Sequence, residues 1–356
     1  MISMRHFGSK SLAIAVTLLL LSSVSKGQTG TGNPGCGLHT HSLQSIYAQA
    51  KADKHADLKG IVILCNGKRV SEAYFNGDSA ADTLHDIRSA TKSITATLMG
   101  IAIQQGLVHS VDDSISLYLP GLPHDGKQNI KIRDLLTMRS GLDADEDDPH
   151  SPGNEDNLDK SGDWLKAAFP VPVKSRPGQT YVYCSLNAFL TGVIVQNAAH
   201  MALDLYAQKN LFEPLGIDRF EWAKAAGGWT KGQGNLSVRA RALAAIGQMY
   251  LDNGTYRKHK VLDPSWVQSS WSELVPISGK DPYADFYGYM WYFRHEPTGE
   301  TGTPVHFASG NGGNKIYIVP SRHIVIAITS SAYNTNYGQR RSQNILLSVL
   351  SDGLSY

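Results

Sequence analysis

The chain has 356 residues, of which 42% are hydrophobic and 18% charged, and its formal net charge is +2. That length and balance fit a folded domain with a sizeable core, and exclude a disordered chain or a polybasic nucleic-acid binder. Arg5, Lys10 and Lys26 are the only charged residues in the first 26, and without them the balance falls from +2 to −1.

In chain order, Arg5 and Lys10 precede an apolar run over residues 12–21, followed by small and polar residues. This is the pattern of an export signal, and the run is short for a membrane span. Residues 1–27 are therefore expected to be a signal peptide, an uncleaved N-terminal anchor being the alternative. A periplasmic or secreted protein follows, with no stable membrane insertion after cleavage. Residues 28–42 read as a flexible lead-in, rich in Gly and Thr at its start. Residues 43–56 have helical spacing. Residues 60–65 and 69–75, closed by Asn66-Gly67 and Asn76-Gly77, read as a strand hairpin, because Asn-Gly supplies the positive φ that a tight turn needs.

Ser89-Ala90-Thr91-Lys92 opens the next apolar helix, which has Ile94, Leu98, Ile101 and Ala102 on one side and stops at Gly106. Serine and lysine three positions apart share a helix face, so a hydroxyl nucleophile stands beside a possible base. Lys92 serves as that base if burial lowers its pKa toward neutrality. A helix-capping serine beside a surface lysine has the same spacing, and Ser23-Val24-Ser25-Lys26 shows that the pattern alone is weak.

Residues 132–141 read as a short helix stopped by Gly141, and residues 143–163 as a long acidic loop interrupted by Pro149 and Pro152. If its first part, residues 143–148, borders a pocket, those carboxylates would favour amine-bearing substrates. Tyr181-Val182-Tyr183-Cys184-Ser185-Leu186-Asn187 leads into a helix that runs to about residue 199. A phenol at Tyr183 beside a cationic lysine can shuttle a proton, and Ser185 can orient the lysine or the substrate. Further helices are expected over 203–211, 239–251 and 339–350, and strands over 314–319 and 323–329. The turn Ala308-Ser309-Gly310-Asn311 before the first of these strands allows close backbone approach to a ligand. Strands at both ends imply one sheet built from the N- and C-terminal parts, with a mainly helical insertion over about 107–270.

Cys36, Cys65 and Cys184 are an odd number, so at least one thiol is free. A Cys36–Cys65 bridge is compatible with export.

Taken together, Ser89-Ala90-Thr91-Lys92, the Leu135-to-Leu142 segment, Pro177-Gly178 leading to Tyr183-Cys184-Ser185, Glu213-Pro214-Leu215-Gly216 and the Gly-rich turn before two final strands resemble the serine β-lactamase and penicillin-binding superfamily. Their order is similar to its class C-like branch, which includes esterases, D-amino-acid-peptide hydrolases and 6-aminohexanoate-dimer hydrolases. The resemblance covers the chain from about Gly60 onward. It implies an α+β fold of the β-lactamase/transpeptidase type, with an antiparallel sheet flanked by helices, in one hydrolase domain over residues 43–356.

Carried over by position, Ser89 is the acylated nucleophile, Lys92 its base and Tyr183 the partner tyrosine. Asn187 is the alternative if the register is Ser185-x-Asn187. The backbone N–H groups of Ser89 and Asn311 would form the oxyanion hole, and Ser185, Asn187, Ser309 and Gly310 would contact substrate. The third motif departs from the family, because Ala308 stands where classic β-lactamases carry lysine, and His306 is two residues early. The function implied is hydrolysis of a small-molecule ester or amide through an acyl-enzyme, with no metal, cofactor or nucleic acid involved. A true β-lactamase or D,D-peptidase, and a sensor that acylates without turnover, share the same motifs.

Overall fold

The structure, a computed structural model, describes residue 38 and residues 40–77, 82–272, 275–298 and 302–351. The expected signal, most of the lead-in and Cys36 lie outside these residues. An eight-stranded antiparallel sheet forms the centre. In chain order its strands are β1 (Leu58–Cys65), β2 (Lys68–Tyr74), β3 (Val275–Pro276), β4 (Phe286–Tyr287), β5 (Tyr292–Glu296), β6 (Thr303–Gly310), β7 (Asn314–Val319) and β8 (Ile324–Ser330). The spatial order is β2-β1-β8-β7-β6-β5-β4-β3.

The N-terminal hairpin therefore joins the C-terminal strands through β1 and β8, with Ile61 opposite Ile328 and Ile63 opposite Ile326. Asn66 and Gly67 both have positive φ, 49° and 71°, as a tight hairpin turn requires. Every residue of β7 and β8 is buried. Their apolar runs, residues 316–319 and 324–328, fit strands covered on both faces, where each buried Ile or Val contributes roughly 1.5–3 kcal/mol.

Five long helices surround the sheet: α1 (Thr40–Ala52), α2 (Thr91–Gln104), α3 (Ser185–Ala199), α4 (Ala240–Leu251) and α5 (Asn336–Ser351). On one face α4 lies so close that a Cβ at Gly247 would meet Val325 Cγ1 at 2.6 Å and Ile316 Cγ2 at 2.8 Å. The neighbouring strand residue points to the other face, where Tyr317 Oη donates to Gln343 of α5 at 3.4 Å. Helix α2 is buried from Thr91 to Ala102, which makes it a central helix rather than an amphipathic one. It packs against α3, and Gly192 of α3 lets Leu203 and Gly232 approach, with a virtual Cβ at 2.8 Å from Leu203 Cδ2.

The 107–270 stretch holds short helices, Ile132–Leu136 and Glu155–Asp159 among them, but it is not uniformly helical. His85–Asp86, Leu236–Val238 and Phe220–Trp222 form a three-stranded sheet in the order 85–86, 236–238, 220–222. Helix α4, inside the same stretch, belongs to the packing of the large sheet. Cys65 is disulfide-bonded and Cys184 is a free, buried thiol. Among the described residues no helix is long and apolar enough to cross a membrane, and no group of three or more His, Cys, Asp or Glu could hold a metal ion.

Candidate active site

Ser89 sits in a single 3-10 turn, Arg88–Ala90, that runs directly into α2. Several contacts hold that turn. The Ile87 N–H donates to Leu236 O at 2.9 Å, and the Arg88 N–H to Asp86 Oδ1 at 2.8 Å. Arg88 has φ of 52°, a left-handed conformation that costs a non-glycine residue energy and persists where neighbours enforce it. Its guanidinium stacks 4.2 Å from the Tyr333 ring centroid and pairs with Asp86 at 3.3 Å.

One turn into the helix, Lys92 is 2% exposed, and its Nζ donates to Ser89 Oγ at 3.0 Å. The same ammonium donates to Ser185 Oγ at 3.2 Å and to Gln233 O at 2.8 Å, and it lies 5.1 Å from the Tyr183 ring centroid. The structure thus brings Ser89, Lys92, Tyr183 and Ser185 together from segments almost a hundred residues apart.

The electrostatics differ from the sequence-based expectation. Burial alone would push the Lys92 pKa down, but the Tyr183 phenol, Glu155 and Glu146 outweigh it, and the pKa lies above its ordinary value. Lys92 is a stabilised ammonium in the resting site, not a lysine already poised near neutrality.

Glu146 and Glu155 come from the acidic 143–163 stretch, which is an ordered part of the site. Glu146 accepts from the Ser185 N–H at 2.6 Å and the Glu155 N–H at 3.1 Å, while burial holds its carboxyl pKa above the usual range. Asn154 ties the stretch together by donating to the carbonyls of Asp145 and Glu146 at 3.0 and 3.1 Å. Glu155 accepts from Ser185 Oγ at 2.9 Å and from Gln233 Nε2 at 3.2 Å. The sequence contained the acidic cluster. What it lacked was any sign that a short helix at Glu155 turns this one carboxylate toward Ser185. Gln233 was missed altogether, since its contact to Lys92 is through the backbone carbonyl and carries no side-chain signature.

A cleft of about 420 Å³ opens over Ser89, and Glu146, Glu155, Lys231, Asn235 and Asn311 are among its walls. Asn311 is fixed there by Asn334, donating from Nδ2 at 2.8 Å and accepting at Oδ1 from the Asn334 N–H at 2.7 Å. A second cavity of about 430 Å³, bordered by Asp145, Asp147, Tyr183, Lys280 and Asp281, adjoins Tyr183.

Other expected contacts are placed differently. Asn187 is 1% exposed, donates to Met138 Sδ at 3.6 Å and does not line the Ser89 cleft. Gly310 packs its backbone against Ile87. Ser309 accepts from Lys315 Nζ at 2.7 Å. Lys315 stands directly across the ladder from Ser309, 1% exposed and 4.8 Å from the Phe307 ring centroid, and burial pushes its pKa down to about 7. An amine absent from the third motif itself is therefore present on the next strand. Lys315 was not singled out in the sequence, because its pairing with Ser309 is set by strand register. His306 lies on the opposite face, stacked 4.0 Å from Trp271, where burial holds its pKa down to about 3 and keeps it neutral.

Residues 48–350 match the family model described as Beta-lactamase. A protein of Escherichia coli strain K12 named "Putative D-alanyl-D-alanine carboxypeptidase" is 31% identical over 144 residues, 38% of this chain and 33% of that protein. The 6-aminohexanoate-dimer hydrolase of Paenarthrobacter ureafaciens is 24% identical over 218 residues, 58% of this chain and 55% of the relative. The matched stretches thus span between a third and a little over half the length of these relatives. Among solved structures, a penicillin-binding protein homologue from Caulobacter crescentus superposes with a TM-score of 0.70 at 18% identity, covering 92% of this chain and 100% of that one.

Proposed function

The chain belongs to the beta-lactamase family, and from that premise and the Ser89 site we propose that it is an exported serine hydrolase cleaving an ester or amide through an acyl-enzyme on Ser89. The observation that carries this reading is the 3.0 Å contact of Lys92 with Ser89 at the start of a buried helix. An unaided serine hydroxyl is a poor nucleophile, and a base within hydrogen-bond reach removes that obstacle. Ser89 Oγ attacks the carbonyl carbon and gives its proton to the Lys92/Tyr183 pair. The oxyanion forms at the helix start, where the backbone N–H groups of Ser89 and Asn311 stabilise it. The pair then protonates the leaving group, and a water molecule repeats the sequence on the acyl ester.

Residues 43–356 act as one hydrolytic unit. Carboxylates at Glu146, Glu155, Asp156 and Asp159 outnumber the cations Arg88 and Lys231 among the cleft walls, which supports amine-bearing substrates. A nitrophenyl ester series, comparing cationic with neutral acyl groups on wild type and Ser89→Ala, tests both points. Turnover that survives Ser89→Ala rules out the acyl-enzyme, and equal kcat/KM for the two acyl types removes the amine preference.

A second reading rests on Lys315, whose amine under Ser309 gives the third motif a cation when protonated. It supports action on a carboxylate-bearing β-lactam or D,D-peptide. Rapid turnover of a chromogenic cephalosporin that is lost in Lys315→Met would favour this reading over the ester and amide one.

A further inference from the structure

The hydrogen bonds around Lys92 expose a difficulty for its use as a base. An ammonium has three protons, and Ser89 Oγ, Ser185 Oγ and Gln233 O accept all three. A nitrogen so engaged has no lone pair to receive the Ser89 proton. Its neighbours also favour the charged form. One of the three protons must leave before Lys92 can act.

Of the three acceptors, only Ser185 leads on to a carboxylate; Tyr183, which also hydrogen-bonds Lys92, remains its partner toward the leaving group. The Gln233 carbonyl cannot pass a proton along, and Ser89 is the group to be deprotonated. The Ser185 hydroxyl, by contrast, donates its own proton to Glu155 Oε2 at 2.9 Å. Both carboxylate oxygens of Glu155 are oriented, since Gln233 Nε2 holds Oε1 at 3.2 Å. The Glu155 backbone is clasped in turn by Glu146, which accepts from the N–H of both Glu155 and Ser185. The chain Ser89–Lys92–Ser185–Glu155 is thus continuous, with every hydrogen bond pointing outward from Lys92 along it.

We propose that Glu155, acting through the Ser185 hydroxyl, is the acceptor that discharges Lys92 and so makes it the base for Ser89. A Lys92 proton moves to Ser185 Oγ as the Ser185 hydroxyl proton moves to Glu155 Oε2. Lys92 becomes a neutral amine, Glu155 a neutral acid, and Ser185 is a hydroxyl again. The amine takes the Ser89 proton while Ser89 Oγ bonds to the carbonyl carbon, and the Lys92/Tyr183 pair passes this proton to the leaving group as its bond breaks. In deacylation the amine takes a proton from water and returns it to Ser89 Oγ. The Glu155 proton travels back through Ser185 to restore the ammonium. The relay rests on the hydrolase reading above and adds to it a residue 66 positions from the nucleophile.

The test is single-turnover acylation by a nitrophenyl ester, followed across pH and in H2O–D2O mixtures, for wild type, Glu155→Gln, Glu155→Asp and Ser185→Ala. Gln keeps an oxygen acceptor for Ser185 but cannot take its proton. The charged and titratable groups around Lys92 and Glu155 are Tyr183, Glu146, Asp156, Asp159, Lys231 and Arg88, and all are retained in each variant. The relay predicts that Glu155→Gln and Ser185→Ala each lose about a hundredfold or more in acylation rate, the usual worth of general-base catalysis. It also predicts that Glu155→Asp keeps part of the rate, and that more than one proton contributes to the wild-type isotope effect.

A Glu155 that merely adds negative charge gives the opposite result. Its neutralisation lowers the Lys92 pKa, so Glu155→Gln would acylate as fast as wild type or faster at neutral pH, and the relay would be overturned. An undiminished rate in Ser185→Ala overturns it equally. Melting curves show whether each variant is folded, and if Glu155→Gln is not, Ser185→Ala decides. Failure of the hydrolase reading is distinct, because then wild type itself turns over no ester.

Discussion

Gly310 leaves no room for a side chain beside Ile87: a Cβ there would stand 1.9 Å from the Ile87 carbonyl oxygen and 3.1 Å from the Ala90 amide nitrogen. Strand β6 is therefore pressed directly against the turn that carries Ser89. This contact sets the distance between the two halves of the proposed oxyanion hole, since Asn311 follows Gly310. Gly310→Ala must push the strand outward. The expected cost is about 1–3 kcal/mol of stability, as for other overpacked sites. Because a displacement of about 1 Å at a site can cost a hundredfold in rate, kcat/KM should fall far more than the melting temperature suggests. Thermal melts paired with ester kinetics check this, and an active Gly310→Ala enzyme would show that the strand position is not critical.

Lys92→Arg separates charge from proton transfer. A guanidinium can keep the ionic contacts of Lys92 with its acidic surroundings, yet it cannot be deprotonated in a protein. Both Lys92→Arg and Lys92→Ala are expected to lose about a hundredfold or more in kcat/KM. An Arg variant close to wild type would mean that the site needs only a cation.

Lys315 should show itself in the pH dependence of stability. Its folded-state pKa of about 7 lies below the ordinary 10.5, because burial disfavours the ammonium. Between these values the unfolded chain holds a proton that the folded chain has released, so this residue makes stability rise with pH across the window. Below about pH 7 its destabilising effect is fully present. Lys315→Met should raise the melting temperature at neutral pH and flatten the slope toward alkaline pH, and a pH series of melts on the two proteins measures the difference. An unchanged slope would place the proton elsewhere.

Asn187 is buried, and among the described residues its Oδ1 has no hydrogen-bond partner while Nδ2 makes only a sulfur contact. An unsatisfied buried carbonyl costs about 1–3 kcal/mol, so Asn187→Leu should be neutral or stabilising in a melt. Ester kcat/KM should stay within about threefold, since no substrate contact or proton transfer is removed. A large drop would restore Asn187 as a substrate ligand.

The parts of the fold that were legible have strong local signals. Asn66-Gly67 marked the hairpin, the apolar runs marked β7 and β8, and helix α3 begins at Ser185 and ends at Ala199 as its pattern implied. Strands β3 and β4 have two residues each, too few for alternation to register. Ser89, Lys92, Tyr183 and Ser185 were legible as candidates because nucleophile and proton-transfer groups occupy short, ordered motifs. The Lys92 charge state was not, because besides Tyr183 it depends on Glu155 and Glu146, which only the folded acidic stretch brings near. Lys315 was hidden for a related reason, since its partner Ser309 is set by strand register rather than sequence distance.

The central claim is that Ser89 forms the acyl-enzyme, and intact-protein mass spectrometry after rapid acid quench, with peptide mapping, tests it most directly. With a nitrophenyl ester, wild type should gain the mass of one acyl group on the peptide containing Ser89, lose it with time, and show no adduct in Ser89→Ala. An acyl group on any other residue, or ester turnover by Ser89→Ala, would contradict the account.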